Sequence, residues 1–338
     1  MQQCTAMADL QLSLMMGANP RSLPVLDGIV KPEGIDLVCT KGHPSEIFWR
    51  QLKFAEFDVS EMSMSSYLMA LAGGNRDWVG IPVFSARRFF HVGIWIRNDR
   101  GIERPEDLKG KRVGVPEYQQ TAALWTRGAL EHEWGVKAQD IGEWFMERTE
   151  AVSHGGATGF KPPAGVKLTH MSADTNIGEM LLKGELDATI LYIVDNNLVD
   201  RSKARLEDSP KMRLLFPDQV GEAHRYYQKT KIWPINHAMV VRRSIAEKHP
   251  WVVLNIFNAF QRAKELYLKE LRELAAGHLE VGLLPPESRK ALSEDPYPYG
   301  VKANRLVLET IAQYSHEQRL TPRQIPLEEV FAEPTLDL

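Results

Sequence analysis

Two histidines, His91 and His237, each stand at the entry of an apolar run that reads as a long extended strand: Phe89-Phe90-His91-Val92-Gly93-Ile94-Trp95-Ile96 and Ile235-Asn236-His237-Ala238-Met239-Val240-Val241-Arg242. An imidazole with its ordinary pKa of ~6.5 both donates and accepts a proton near neutral pH. The pair is a candidate acid–base set; histidines that are partly buried and hydrogen-bonded to fix those strands are the other reading. Just upstream, Arg87 and Arg88 offer a two-pronged grip on a carboxylate. Adjacent strand residues point to opposite faces, so one of the two is expected to face solvent. Other polar groups gather at four strand-to-helix junctions: Asn19 with Arg21; Ser63, Ser65 and Ser66; Tyr118, Gln119, Gln120 and Thr121; and Tyr192, Asp195 and Asn196. Free backbone N–H groups and the helix dipole favour a carboxylate or phosphate at such places. Taken singly, these residue types are more often helix caps.

Several chemistries lose support. No GxGxxG follows a strand, and GxxxxGK[ST], HExxH and GxSxG are absent from the sequence. The 10 histidines include no pair at a convincing metal spacing, so no metal is expected. Cys4 and Cys39 form no CxxC, which leaves at most a single bridge between them. With 41 basic and 44 acidic residues interspersed, the net charge of −3 provides no electrostatic footprint for nucleic acid and no polybasic membrane patch. Small neutral or anionic ligands remain. The N-terminal residues lack a basic segment followed by an apolar stretch, and no apolar run reaches the ~20 residues that span a bilayer, so a cytoplasmic protein is expected.

The elements that must position these residues follow a βαβ rhythm. Strands are expected over 10–15 and 35–39, a helix from Pro44, a strand and then a helix over 65–72, and a strand over 78–84. The pattern restarts with a strand over 112–115 and helices over 121–134, 177–183 and 219–229; residues 153–165 read as a Gly/Pro-rich loop, and helices over 251–276 and 302–318 follow. A phrase also repeats. Leu52-Lys53-Phe54-Ala55-Glu56-Phe57-Asp58-Val59 leads into residues 60–67, and Leu182-Lys183-Gly184-Glu185-Leu186-Asp187-Ala188 leads into Thr189-Ile190-Leu191-Tyr192. Each copy reads as a helix end, an acidic turn and a buried strand. Two lobes built alike would bring matching strand ends to one cleft, where α/β proteins place ligands. At 338 residues the chain is long enough for two domains. The expected division is residues 1–90 with 240–338 in one lobe and residues 91–239 in the other, joined by two hinge strands. One continuous sheet with a helical tail is the competing arrangement.

Four stretches carry a family resemblance: Glu56-Phe57-Asp58-Val59-Ser60-Glu61-Met62-Ser63-Met64-Ser65-Ser66-Tyr67; Ile81-Pro82-Val83-Phe84-Ser85-Ala86-Arg87-Arg88-Phe89-Phe90-His91; Leu108-Lys109-Gly110-Lys111-Arg112-Val113-Gly114-Val115-Pro116-Glu117-Tyr118-Gln119; and Tyr297-Pro298-Tyr299-Gly300-Val301-Lys302-Ala303-Asn304-Arg305. Together they resemble the 4,5-dihydroxyphthalate decarboxylase family nearly end to end. The resemblance implies a two-lobed α/β fold like that of type II periplasmic binding proteins, with two hinge strands and a helical C-terminal segment. It also implies a cofactor-independent lyase of aromatic compound catabolism, acting in phthalate degradation on a small aromatic carboxylic acid. The sequence departs from the family pattern at Asn19-Pro20-Arg21-Ser22, where a more acidic turn is expected, and at Asn236.

That chemistry needs a cation for the carboxylate that stays, an acid for the ring carbon, a partner for the phenols and a dry cavity. The resemblance permits Arg21 and Arg88 as the carboxylate grip and Ser65 and Ser66 as donors. His91 or His237 is the proton donor, and Glu46 or Glu117 orients a histidine or accepts a phenol proton. Tyr118, Gln119, Asn176 and Tyr192 are expected at the ring substituents. The competing class is a solute-binding protein or sensor that clamps an aromatic acid without transforming it. The helical C-terminal third could support a homo-oligomer.

Overall fold

Parallel βα units begin the chain. In the computed structural model, which describes residues 9–149, 151–154 and 158–338, β1 (Leu10–Met16) pairs in parallel with β2 (Ile35–Lys41) and β3 (Val59–Ser63). Short α1 (Leu23–Leu26) and longer α2 (Pro44–Phe54) make the connections. Pro44 suits the first turn of α2 because its missing N–H has no partner to lose there, and His43 Nδ1 accepts the Ser45 N–H as a cap. β3 is buried along its whole length and runs straight into α3 (Met64–Ala72), itself almost wholly buried. β4 (Trp78–Arg87) then forms the far edge of the same sheet.

The second sheet is made of shorter strands: β5 (Trp95–Arg97), β6 (Arg112–Val115), β7 (Glu143–Met146), β8 (Leu168–His170), β9 (Ala188–Thr189) and β10 (Met212–Leu214), in the order β10-β5-β9-β6-β7-β8. α4 (Thr121–Trp134) follows β6, and α5 (Ile177–Lys183) precedes β9. After α6 (Gln219–Thr230), β11 (Ile235–Arg242) returns to the first sheet, antiparallel between β3 and β4, giving the order β2-β1-β3-β11-β4. Residues 235–239 therefore pair with the N-terminal strands. α7 (Arg243–Lys248), the 30-residue α8 (Trp251–Glu280), α9 (Ser288–Ser293), α10 (Arg305–Glu317) and α11 (Leu327–Val330) complete the chain. One apolar core runs from Leu12 and Val59 through Trp125 to Trp144, and a smaller one around Ile177, Leu186 and Leu206 lies beneath α5. The Trp125 indole of α4 donates to the Ile235 carbonyl at 2.9 Å, tying the two sheets together.

The repeated phrase has a common backbone form. α2 ends at Ala55 and α5 at Gly184, both left-handed, and each turn feeds a buried strand, β3 or β9. The run 89–96 differs from expectation, because it is not one strand. β4 continues to Arg87, His91–Gly93 form a 3-10 turn, and only Trp95 and Ile96 join β5. The chain must turn there from one sheet to the other, and its apolar side chains fill a buried corner instead of a strand face; apolar content alone does not separate the two. The residue pattern does not mark β7, β8 or β10, since three or four residues leave no readable alternation. Cys4, and with it any Cys4–Cys39 bridge, lies outside the described residues, as does part of the loop expected over 153–165. Among the described residues, no helix is long and apolar enough to cross a membrane.

Candidate active site

Strands of both sheets end at one cavity of about 160 Å³. From the first sheet and its helices come His43, Ser45, Phe48, Ser63, Arg88 and His237. From the second come Gln120, Thr121, Ala122, Arg148, His154 and Leu191. The polar groups converge because parallel strands place their C-terminal turns and helix starts on the same side.

His237 enters from β11. It lies opposite Ser63, while Glu61 of β3 lies opposite Met239, so Glu61 and His237 are diagonal neighbours on one sheet face. Glu61 Oε1 accepts from His237 Nδ1 at 2.8 Å and from the Ser85 hydroxyl at 2.5 Å, and Oε2 accepts from the Gly17 N–H at 2.8 Å. Glycine is apt at position 17, since a Cβ there would lie 3.1 Å from Glu61 Oε2. Burial alone would raise the Glu61 carboxyl, but the His237 ring and the other donors outweigh it and hold the group below the usual carboxylate range. Glu61 is thus an ionised counter-charge for His237. The outer ring nitrogen, Nε2, is 2.7 Å from Asn236 Nδ2, and among the described residues Asn236 Oδ1 is buried without a partner. Turning that amide over would give Oδ1 the Nε2–H of a protonated ring, so Asn236 suits either charge state.

A second carboxylate–imidazole pair comes from the other sheet. His154 Nε2 is 2.6 Å from Glu117 Oε2, and its Nδ1 is 2.6 Å from Ser66 Oγ. The Phe48 ring lies edge-on to both imidazoles, with centroids 4.7 Å from His237 and 6.0 Å from His154. Burial opposes ionisation of Glu117, yet His154, Arg148 and the Ser153 hydroxyl hold it well below the ordinary range. Arg148 Nη1 meets Glu117 at 2.8 Å, Nε meets Asp200 at 2.8 Å, and Nη2 donates to Ser45 Oγ at 2.7 Å, reaching from the second sheet to α2. Among the described residues no group of three His, Cys, Asp or Glu side chains is arranged to hold a metal ion.

The expected residues divide into two sets. His237 and Arg88 line the cavity, and Glu117, Ser65, Ser66 and Gln119 form its supporting network. Arg88 is exposed and, among the described residues, has no ion-pair partner. The remaining expected residues lie elsewhere. His91 is buried in an aromatic corner, 4.7 Å from the Tyr226 ring and 3.2 Å from Glu222, because the 3-10 turn points it away from the cavity. Arg21 donates to the Ser85 carbonyl and stacks 4.0 Å from the Tyr297 ring. Glu46 accepts the Leu198 N–H at 2.9 Å. The Tyr118 ring packs under Arg127 at 3.8 Å, inside the second sheet's core. Asn176 caps α5, and Tyr192 donates to the Ala204 carbonyl at 2.7 Å.

Glu61, His154, Arg148, Asp200 and Phe48 escaped the sequence reading. A carboxylate between Val59 and Met62 in a short strand is the sequence signal for Glu61. Arg148 and His154 follow β7, and without that strand nothing marked them as lying at a strand end.

No family model matches the chain. At 35% identity over 334 residues, 98% of this chain and 99% of the other, it is similar to the 4,5-dihydroxyphthalate decarboxylase of Comamonas testosteroni. At 38% over 222 residues, 66% of this chain and 83% of the other, it is similar to the 4,5-dihydroxyphthalate decarboxylase of Pseudomonas putida. Among solved structures it is similar to the periplasmic aliphatic sulphonate binding protein SsuA from Escherichia coli, with a TM-score of 0.54 and 17% identity over 96% of this chain and 92% of that one. It is also similar to the alkanesulfonate-binding protein SsuA from Xanthomonas axonopodis pv. citri, with a TM-score of 0.51 and 16% identity over 98% and 99% of the two chains. The fold is the two-lobed α/β fold of periplasmic binding proteins.

Proposed function

This chain belongs to the 4,5-dihydroxyphthalate decarboxylase family, and from that membership we infer that it is a non-oxidative carboxy-lyase of hydroxylated aromatic dicarboxylic acids, converting 4,5-dihydroxyphthalate to protocatechuate and carbon dioxide. The observation that carries this reading is the relationship over 334 residues to an enzyme of that name. The cavity supports it in charge, since Arg88, Arg148, His43 and His237 line it.

In 4,5-dihydroxyphthalate each carboxyl-bearing carbon is para to a hydroxyl. Ionisation of that phenol pushes electron density onto the carbon, which takes a proton; the bond to the carboxylate then breaks, carbon dioxide leaves and the ring regains its aromaticity. In this reading Arg88 binds the carboxylate that stays, and protonated His237 gives its Nε2 proton to the ring carbon with Glu61 as counter-charge. Solvent restores that proton. The departing carboxylate is assigned to the apolar part of the lining, Leu191 and Ala122, where loss of its charge is favoured. Each sheet centres one lobe of the cleft. The proposed lobes are residues 1–90 with 240–338 and residues 91–239, and β11, which pairs in the first sheet at the second boundary, is the proposed hinge strand. The proposed compartment is the cytoplasm, and recovery in a periplasmic fraction would count against it.

The test is incubation of the full chain with 4,5-dihydroxyphthalate, following carbon dioxide and protocatechuate. Stoichiometric release of both is expected. Saturable binding without product would favour the solute-binding class instead.

A further inference from the structure

Three imidazoles line the cavity, those of His43, His154 and His237, and they differ in what each ring has left to offer. His237 has Nδ1 on Glu61 and Nε2 beside Asn236, and His154 has Nε2 on Glu117 and Nδ1 beside Ser66. His43 is engaged on one side only. It stands at the junction of β2 and α2, where its Nδ1 accepts the Ser45 N–H at 3.3 Å as the helix cap. A ring nitrogen that accepts carries no proton, so the neutral ring keeps its proton on Nε2. That nitrogen lies 4.0 Å from Asp195 Oδ2, beyond hydrogen-bond reach, and the Asp195 side chain is mostly exposed. Among the described residues no hydrogen bond engages His43 Nε2. Asp195 lines the same cavity from the chain after β9, and Leu198 of that segment donates to Glu46 of α2, so the His43 ring sits where segments of the two sheets meet.

With Arg88 on the carboxylate that stays and His237 at the ring carbon, one charge of the reaction lacks a partner, that of the phenolate oxygen. A phenol such as that of tyrosine ionises near ~10, so little phenolate exists at neutral pH unless a donor favours it. We propose that His43 is a further catalytic residue, whose Nε2–H donates a hydrogen bond to the phenolate oxygen para to the departing carboxylate. The inference rests on the decarboxylase reading and deepens it. The phenol proton goes to solvent as the substrate binds. The phenolate pushes an electron pair into the ring as His237 gives its proton to the ring carbon, and the oxygen becomes a carbonyl. The C–C bond then breaks, carbon dioxide leaves, and the electron pair returns through the ring to the same oxygen, where the His43 N–H meets the charge as it develops. The product phenolate takes a proton from solvent. His43 neither gains nor loses a proton in this cycle. A neutral donor suits the place better than an imidazolium, which could hand its proton to the oxygen and quench the charge that has to enter the ring.

The test is His43→Asn in the full chain, in which an amide oxygen keeps the cap on Ser45 while the Nε2–H is lost. The probe is 4,5-dihydroxy-2-nitrobenzoate, whose nitro group replaces the departing carboxylate, cannot leave, and makes the phenolate para to it visible by absorbance. Asp195, Arg88, Arg148, His154 and His237 also line the cavity and bear on that ionisation, and the two proteins share them. Bound to the unaltered protein, the probe should ionise about one pH unit lower than when bound to His43→Asn, a tenfold difference in the ionisation constant. In the variant kcat for 4,5-dihydroxyphthalate should fall about 10²-fold at an unchanged melting temperature. Equal ionisation midpoints in the two proteins overturn the proposal, as does an undiminished kcat. The acid limb of kcat against pH with 4,5-dihydroxyphthalate supplies the same midpoint should the probe not bind. If His43→Asn fails to fold, His43→Ser, which also caps a helix, is read in the same way. An unaltered protein that releases no carbon dioxide overturns the functional reading and this role with it; an active protein whose His43→Asn variant keeps the same midpoint overturns the role alone.

Discussion

Glu61 and His237 are 176 residues apart in sequence, yet Glu61 Oε1 and His237 Nδ1 meet at 2.8 Å because β11 returns antiparallel beside β3. The pair leaves the other ring nitrogen, Nε2, toward the cavity side with Asn236.

Removing the His237 imidazole should therefore stop the chemistry without removing the pocket. His237→Asn is expected to lower kcat by about 10² to 10⁴ with little change in KM. His91→Asn should keep kcat, since His91 lies in the aromatic corner of Tyr226 and Trp134. Carbon dioxide release by both variants checks this, and a dead His91→Asn with a normal fold would contradict it.

Arg88 has no ion-pair partner among the described residues, so its loss should cost binding and not folding. Arg88→Gln is expected to raise KM about 10- to 100-fold, the size of a lost charge-assisted hydrogen bond, while the melting temperature stays unchanged. A melting point that drops with KM unchanged would remove Arg88 from the site.

The Glu222 carboxylate predicts an acid limb of stability. Burial would raise it, but hydrogen bonds from Arg225 and His91 prevail and hold it at about 2, below its ordinary 4.5. A depressed folded-state value means that the stabilisation is complete above pH 4.5 and drains away between 4.5 and about 2. Glu222→Gln should accordingly be less stable than the unaltered chain at pH 7, and the difference should close toward pH 2. Denaturation midpoints across that range would measure it; a difference that widens on acidification would reverse the assignment.

Arg148 is a buried cation between Glu117 and Asp200, and it also reaches Ser45 of α2. Arg148→Met leaves two buried carboxylates without their cation, which should cost about 3–5 kcal/mol. Urea unfolding gives the number directly. A loss below about 1 kcal/mol would mean that the two carboxylates find water or other partners.

Local pattern was enough to determine much of this protein. The strand at Arg112–Val115 and the helices at Thr121–Trp134 and Ile177–Lys183 have the bounds that their apolar spacing and flanking turns indicate. The four family stretches were also legible, because they depend on residue identity alone. The active-site membership of single residues was not. His91 and His237 look alike in sequence, each before an apolar run, yet one backbone bends into a 3-10 turn and the other stays in register beside β3. Whether an apolar run is straight depends on which sheet its two ends must join. Glu61 with His237, and Ser66 with His154, are contacts between segments far apart in the chain, so only the return of β11 and the docking of the second sheet decide which carboxylate meets which imidazole.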